Sequence, residues 1–269
     1  MNEKVSIFIP VLVFVGIYLA FAPMGSSSFQ QKKGGIKKVV LVSVYDNYPI
    51  DPELKTGWGF GSVVKTPKET LLFDTGGNSE ILLFNMGKMR IAPHAIDKVV
   101  ISHVHGDHVG GLKGFLEKNP HVTVFIPSSF PDSMRDMINS QGAQYVDVSG
   151  PHKISDSIFS TGELYGPPKE QSLVIDTRKG LIVMTGCSHP GIVGIVKRAK
   201  EIFPKTKVHL TVGGFHHPPL EVVKGLRELG VEKVAPSHCT GDHVIQAFRR
   251  EYQDDFIKYG VGKIIEIQE

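Results

Sequence analysis

Lys98-Val99-Val100-Ile101-Ser102-His103-Val104-His105-Gly106-Asp107-His108-Val109-Gly110-Gly111 is the stretch on which the fold turns. Its first part, Lys98 to Ser102, is apolar and β-branched and reads as a buried strand that ends directly at the histidines. His103 and His105 alternate as strand residues do, so both imidazoles can face one ion from the same side. Asp107 and His108 open the turn into a glycine-rich helix start and can face a second ion close by. Imidazole plus carboxylate suits zinc best, with iron and manganese as alternatives. Glycines on either side let the backbone turn tightly around such a centre. A histidine-rich surface loop without metal is the bland alternative, and the strand lead-in argues against it.

Outward from this stretch, strands and helices alternate, which specifies an α/β class. Before it, strands are expected at Lys38–Tyr45, Gly59–Lys65 and Thr70–Asp74, and a helix at Ser79–Met89 with Ile81, Leu82, Leu83 and Phe84 apolar. After it, a helix is expected over His108–Lys118, a strand over Val122–Ile126 and a helix over Pro131–Gln141, with proline at an early helical position. The second half repeats the rhythm. Strands are expected at Lys153–Ser160, Gln171–Asp176 and Gly180–Thr185, the last two joined by the hairpin turn Asp176-Thr177-Arg178-Lys179-Gly180. Then come a helix at Gly191–Phe203, a strand at Lys207–Val212, a helix at Pro219–Leu229, a short strand at Val234-Ala235, a helix at Asp242–Tyr252 and a last strand at Ile264–Ile267. No linker interrupts them, so residues 36–269 read as one catalytic domain of two similar halves. Two mixed sheets packed face to face with helices outside, an αββα sandwich, would bury these runs.

Residues 1–35 read differently. Val5 to Ala22 is uncharged and apolar apart from Ser6, Pro10 and Gly16, and at about 18 residues it can just span a bilayer. The polar run from Gly25 to Gln31 follows, so the segment reads as a signal peptide or membrane anchor plus linker. Pro23 directly after Ala20-Phe21-Ala22 would hinder cleavage there. Lys32, Lys33, Lys37 and Lys38 would favour a cytoplasmic catalytic part, whereas an N-terminal segment of this kind more commonly directs export, which is the favoured expectation. A net charge of +3 and the lack of a basic stripe interleaved with aromatics speak against nucleic acid as a partner. A small-molecule substrate is expected instead. Two cysteines, Cys187 and Cys239, are too few for a disulfide framework.

The motif His103-Val104-His105-Gly106-Asp107-His108-Val109-Gly110-Gly111 resembles the signature of the metallo-β-lactamase superfamily, and Leu71-Leu72-Phe73-Asp74-Thr75-Gly76 and Asp97 to Ser102 agree with it. Three further segments, Gly186-Cys187-Ser188-His189-Pro190-Gly191, Gly213-Gly214-Phe215-His216 and Ala235-Pro236-Ser237-His238-Cys239-Thr240-Gly241, resemble one branch of it. That branch holds the dihydropteroate synthase-like enzymes of methanopterin biosynthesis and their hydrolase relatives. Gly57-Trp58-Gly59-Phe60 and Glu170-Gln171-Ser172-Leu173 are similar to that branch too.

The resemblance implies two divalent metal ions, with His103, His105 and His189 at the first and Asp107, His108 and His238 at the second. His189 and His238 each follow an expected strand, as the main motif does. Two departures from the superfamily pattern stand out. Pro168-Lys169-Glu170-Gln171 occupies the place of a usual histidine ligand, so His189 is expected to replace it and Glu170 to act at most on another ligand or on substrate. Gly186-Cys187 occupies the place of a usual bridging aspartate, so the bridge is either absent or supplied by Cys187, and one tightly held ion plus one weak ion is the alternative to two. Cys187 and Cys239 either stay buried and neutral or tune the site. Asp74 is expected to orient a ligand imidazole by hydrogen bonding. His216, just before a helix start, is expected to contact substrate, with phosphate a candidate. The implied chemistry is hydrolysis of an ester, amide, lactone or phosphoester by a metal-bound hydroxide, with Asp107 both ligand and proton acceptor. The alternatives are a pterin-transferring synthase and a metal-binding protein without turnover.

Overall fold

The structure, a computed structural model, describes Met1 and residues 35–269. The apolar run at residues 5–22 lies outside the described residues, and among these no helix is long and apolar enough to cross a membrane.

The chain enters through β1 (Lys38–Tyr45), β2 (Gly61–Lys65) and β3 (Thr70–Phe73), then α1 (Ser79–Lys88) and β4 (Lys98–Val100). Two short helices, α2 (Gly106–Val109) and α3 (Leu112–Leu116), carry it to β5 (Thr123–Pro127), α4 (Asp132–Ser140) and β6 (Gln144–Val148). The second half runs β7 (His152–Lys153), β8 (Ile158–Ser160), β9 (Leu173–Thr177), β10 (Gly180–Thr185), α5 (Ile192–Ile202) and β11 (Val208–Gly214). It closes with α6 (Glu221–Glu228), β12 (Lys233–Ser237), α7 (Asp242–Tyr252) and β13 (Ile264–Gln268). One sheet has the order β13-β1-β2-β3-β4-β5-β6 and the other β12-β11-β10-β9-β8-β7, so the final strand returns to the first sheet.

Strand alternation explains the layering. Leu71, Phe73, Val100 and Phe125 from one sheet meet Leu173, Ile175, Ile182, Met184, Leu210 and Val212 from the other in a central apolar layer. Their sequence neighbours point the opposite way. Leu72, Val99, Ile101, Val124 and Ile126 pack with Leu82, Met86, Leu112 and Phe115 of the helices on one outside face. Leu181, Val183 and Val234 pack with Ile195, Val196, Leu226 and Phe248 on the other. Each central strand is therefore apolar on both faces, as a sheet covered on both sides requires. This is the expected αββα sandwich.

Several boundaries differ from expectation for local reasons. The helix expected over His108–Lys118 is split, because a Cβ at Gly110 would collide with Gly77 O and one at Gly111 with Thr75 O. The two glycines let this segment lie directly on the loop after β3. The strand expected over Lys153–Ser160 divides into β7 and β8 around Ser155-Asp156-Ser157, where Ser155 N–H donates to Ile158 O. The sequence reading lacked β6 altogether. It is an edge strand paired only with β5, largely half-buried or exposed, and so lacks the apolar run of the inner strands. The hairpin joining β9 to β10 stands where expected, with Thr177 opposite Gly180.

Candidate metal centre

Parallel pairing of β3 with β4 and of β10 with β11 and β12 sends these strands out of the sandwich at one rim. Their ends carry the polar groups that the barrier of apolar layers excludes elsewhere. Asp74 follows β3, Ser102 to His108 follow β4, Gly186 to His189 follow β10, Phe215-His216 follows β11, and His238 follows β12. Binding sites gather at strand ends of this kind because loops there can converge without breaking the sheet.

Three groups of ligand-type side chains converge within 4.8 Å: His103, His105 and His189; Asp107, His108, Cys187 and His238; and Cys187, His189 and His216. The structure thus brings together both trios expected from the sequence. It adds Cys187 to the second and links the two through Cys187, His189 and His216. His103 Nε2 lies 3.1 Å from His105 Nδ1. His108 Nε2 lies 3.2 Å from Cys187 Sγ. Asp107 Oδ2 is 3.3 Å from His238 Nε2 and 3.6 Å from His108 Nε2. The His189 Nε2 atom is buried with no hydrogen-bond partner within the protein, and His238 Nε2 has the Asp107 carboxylate beside it at 3.3 Å. Buried unpaired nitrogens are costly unless something binds there. The donor set, neutral imidazoles with one carboxylate and one thiol, fits divalent transition metals.

Behind these groups lies a polar layer that sets their orientation. Asp74 sits at φ 57°, an αL conformation rare outside glycine but tolerated by aspartate. Its Oδ1 accepts from Ser102 N–H at 2.7 Å, and its Oδ2 accepts from Ser102 O–H at 2.7 Å. Oδ2 is also 2.7 Å from His108 Nδ1, which donates to it and leaves Nε2 free to face the cluster. Ser102 Oγ is 2.9 Å from His103 Nδ1, which likewise turns His103 Nε2 inward. On the far side, Asn47 Oδ1 takes His238 Nδ1 at 2.9 Å, and Asn47 Nδ2 donates to His238 O at 3.2 Å. Ser102 and Asn47 were not singled out from sequence, because each is an ordinary polar residue whose partner lies far along the chain.

Electrostatics favour the ligand form of most of these rings. Burial, reinforced by His108, His189 and His105, pushes the His103 imidazole far below its ordinary range. Burial and the neighbouring His216 and His105 push His189 down to about 4. Burial also lowers His238, and burial with His217 beside it lowers His216. For His108 burial acts in the same direction, but the Asp74 carboxylate outweighs it and raises the ring. Burial alone would raise the Asp107 carboxyl, and His238 and His108 outweigh that, holding it below the usual carboxylate range.

The two departures from the superfamily pattern acquire physical explanations. A Cβ at residue 186 would run into Ser102 Oγ and Asp74 Oδ2, so no aspartate side chain fits there beside this pair. The thiol of Cys187 reaches into the second cluster from the next position. Cys187 and Cys239 are free cysteines, their sulfurs 3.3 Å apart. Contact with Cys239, together with burial, pushes the Cys187 thiol up. Glu170 is fully buried, and its carboxylate accepts from the N–H groups of Cys187, Ser188 and His189. It touches the backbone of Cys187, Ser188 and His189 rather than substrate space. His216 stacks near His189 with ring centroids 4.1 Å apart, at the mouth of the centre. Exposed Trp58 stands 5.0 Å from the His238 ring on the opposite side.

Comparison with known proteins agrees with this geometry. The chain is 32% identical to the 7,8-dihydropterin-6-methyl-4-(beta-D-ribofuranosyl)-aminobenzene-5'-phosphate synthase of Methanocaldococcus jannaschii, over 74% of this chain and 84% of that protein. Among solved structures, Tm1679, described as a metal-dependent hydrolase of the beta-lactamase superfamily, superposes with a TM-score of 0.72 at 26% identity, covering 86% of this chain and all of that one. Human tRNase Z, short form, shares the fold at a TM-score of 0.53 and 16% identity, over 85% of this chain and 98% of that one. Residues 59–201, which include the β4 motif and the loop that ends at His189, match the family profile of the metallo-beta-lactamase superfamily. With two packed sheets, ligand-type side chains at one rim and this match over more than half its length, the chain belongs to the metallo-β-lactamase superfamily.

Proposed function

We propose that the protein is a metal-dependent hydrolase acting on an ester, amide, lactone or phosphoester bond of a small molecule. The observation that carries this reading is the convergence of two groups of ligand-type side chains, His103/His105/His189 and Asp107/His108/Cys187/His238, with the buried His189 Nε2 left unpaired. Two divalent ions there, zinc favoured over iron or manganese, would lower the pKa of a water ligand and polarise the scissile group. The chain's own groups have separable tasks. Asp74 and Ser102 fix the tautomers of His108 and His103, so that each presents a lone pair rather than a proton. Asp107 is a half-buried carboxylate held ionised, able to bind an ion through one oxygen and to accept a proton at the other. His216 and Trp58 flank the centre and are placed to contact substrate. The likeness to Tm1679 supports hydrolysis.

A second reading, transfer of a pterinylmethyl group to an aminobenzene ribofuranosyl phosphate, with departure of the leaving group from the donor's methylene carbon and loss of a proton from the acceptor, is supported by the likeness to the Methanocaldococcus synthase. The two differ in acceptor, water against an arene, on the same centre. Metal-loaded protein assayed against ester, lactone, phosphodiester and pterin substrates separates them. Turnover of the first three without an added arene supports hydrolysis. Product that forms only with pterin donor and arene acceptor together supports transfer. Lack of bound transition metal after reconstitution would overturn both. We further propose that residues 5–22 direct export or anchor the chain, with the periplasmic or extracellular face favoured over the cytoplasmic one. Fractionation of cells expressing the full chain tests this, and recovery wholly in the soluble cytosolic fraction would refute it.

A further inference from the structure

Immediately before β9 the chain buries three consecutive polar residues, Glu170, Gln171 and Ser172. Burying a carboxylate is expensive unless its oxygens are fully engaged. Glu170 Oε1 accepts from Cys187 N–H and Ser188 N–H, each at 2.9 Å, and Oε2 accepts from His189 N–H at 2.8 Å. Three successive N–H groups converge in this way only because Ser188 adopts φ 66°, curling the loop into a concave nest around an anion. The anion is supplied from within the chain. As the centre of that nest, Glu170 fixes the direction in which Cys187 and His189 project.

Gln171 grips the opposite bank. Its N–H donates to Ser102 O at 2.9 Å, and its Nε2 donates to Ile101 O at 2.8 Å and Phe125 O at 3.2 Å. Its Oε1 accepts from Ser160 Oγ at 2.6 Å. Ser102 is the residue before His103 and is itself held by Asp74. Two residues joined by one peptide bond thus fasten the His103–His105 segment from the first sheet and the Cys187–His189 loop from the second. The rings so held stand 4.7 Å (His103 to His189) and 4.8 Å (His105 to His189) apart by their centroids.

We propose that Glu170 and Gln171 are a positioning pair that sets the gap between the two ligand-bearing segments, Gln171 holding the His103 side and Glu170 the His189 side. This rests on the reading of the centre as a metal site and says which residues determine its span. Neither side chain touches an ion or substrate on this view. Their effect is on how well His189 closes the first position and how Cys187 enters the second.

Cobalt(II) titration tests the proposal, with bound equivalents, affinity and visible absorption as readouts independent of turnover. Glu170→Gln keeps the side-chain shape but turns an amide N–H₂ toward donors. It should weaken binding at the His189 position by about 10- to 100-fold, as loss of a ligand-orienting partner does, and alter the cobalt spectrum. Gln171→Glu, which removes the donors to Ile101 O and Phe125 O, should act in the same direction. Glu170→Asp, which keeps a carboxylate, should recover part of the affinity, and it carries the comparison if Glu170→Gln fails to fold. Leu226→Ala, in the outer core of the second sheet and away from the centre, serves as the control for lost stability. It should keep both equivalents and the wild-type spectrum. If Glu170→Gln and Glu170→Asp bind cobalt with wild-type affinity and spectrum, the pair is only structural and the proposal falls. If the wild-type protein binds no cobalt, the reading of the centre itself falls.

Discussion

Asp107 and His105 are half-buried and exposed while His103 and His108 are fully buried, and this difference governs what each substitution should do. Replacing either of the accessible pair removes a ligand-type side chain without opening the core. His105→Ala and Asp107→Ala should each lower turnover by at least about 10²-fold, the scale of a lost proton-transfer group, while circular dichroism stays native. Wild-type activity in either variant would dismiss the metal mechanism. Protonation makes the second residue-scale expectation. His103, His189, His216 and His238 all have imidazoles held below their ordinary value of 6.5. A lowered pKa in the fold means that the unfolded chain takes up protons first, so their contribution is present above pH 6.5 and is lost as pH falls toward the folded values, about 4 for His189. His108 is raised and has the opposite sign, its contribution fading as pH rises through its folded value. Asp46, pushed up to about 7 by burial, and buried Glu170, also raised, share the sign of His108. Replacing His189 by a side chain that does not titrate, as in His189→Asn, should therefore lower the melting temperature of the metal-free protein at pH 7 relative to that at pH 5, compared with wild type, which differential scanning calorimetry measures. An unchanged difference between the two pH values would contradict the lowered His189 value.

At the scale of elements, the rim works because short helices and loops press directly on strand ends. The break between α2 and α3 is the clearest instance, since Gly111 lies against the Thr75 carbonyl and so seats the motif on the loop that bears Asp74. Gly111→Ala would force these segments apart. Overpacking of this kind costs about 1–3 kcal/mol, or a few degrees of melting temperature in a chain of this size, at roughly 2–4 °C per kcal/mol. Because the displaced loop carries the partner of both Ser102 and His108, metal content should fall as well. Gly194→Ala is the comparison, since the space around its position is open on α5 and no change in metal content is expected there. Equal metal content in both variants would show that the close approach has no bearing on the centre.

For the molecule as a whole, residues 35–269 contain every strand found among the described residues, both outer helical layers and the groups of the candidate centre. Deleting residues 1–34 should leave a soluble protein with the same far-ultraviolet spectrum and metal content as the full chain. Aggregation or loss of metal on truncation would make the N-terminal segment part of the fold and remove the basis for reading it as a signal or anchor.

Sequence by itself determined the alternation of strands and helices, the sandwich class, and the histidine motif at the end of β4. These follow from local period and from residue types confined to a few neighbouring positions, and local physics acts within a turn or a strand. It also placed His189 and His238 beside strand ends, through resemblance more than through spacing. What only the tertiary structure decided was every relation across the chain. Ser102 joins Asp74 to His103, Asn47 holds a histidine 191 positions away, and Gln171 reaches the strand before the motif. Glu170 stands where the superfamily usually has a histidine, and the sequence allows it a role on another ligand or on substrate without saying which. Its carboxylate instead closes on three backbone N–H groups, and no side-chain pattern in a sequence records where backbone donors will converge. The edge strand β6 escaped notice for a related reason. Its identity comes from pairing with β5 rather than from an apolar period of its own, and pairing is settled only when the sheet assembles.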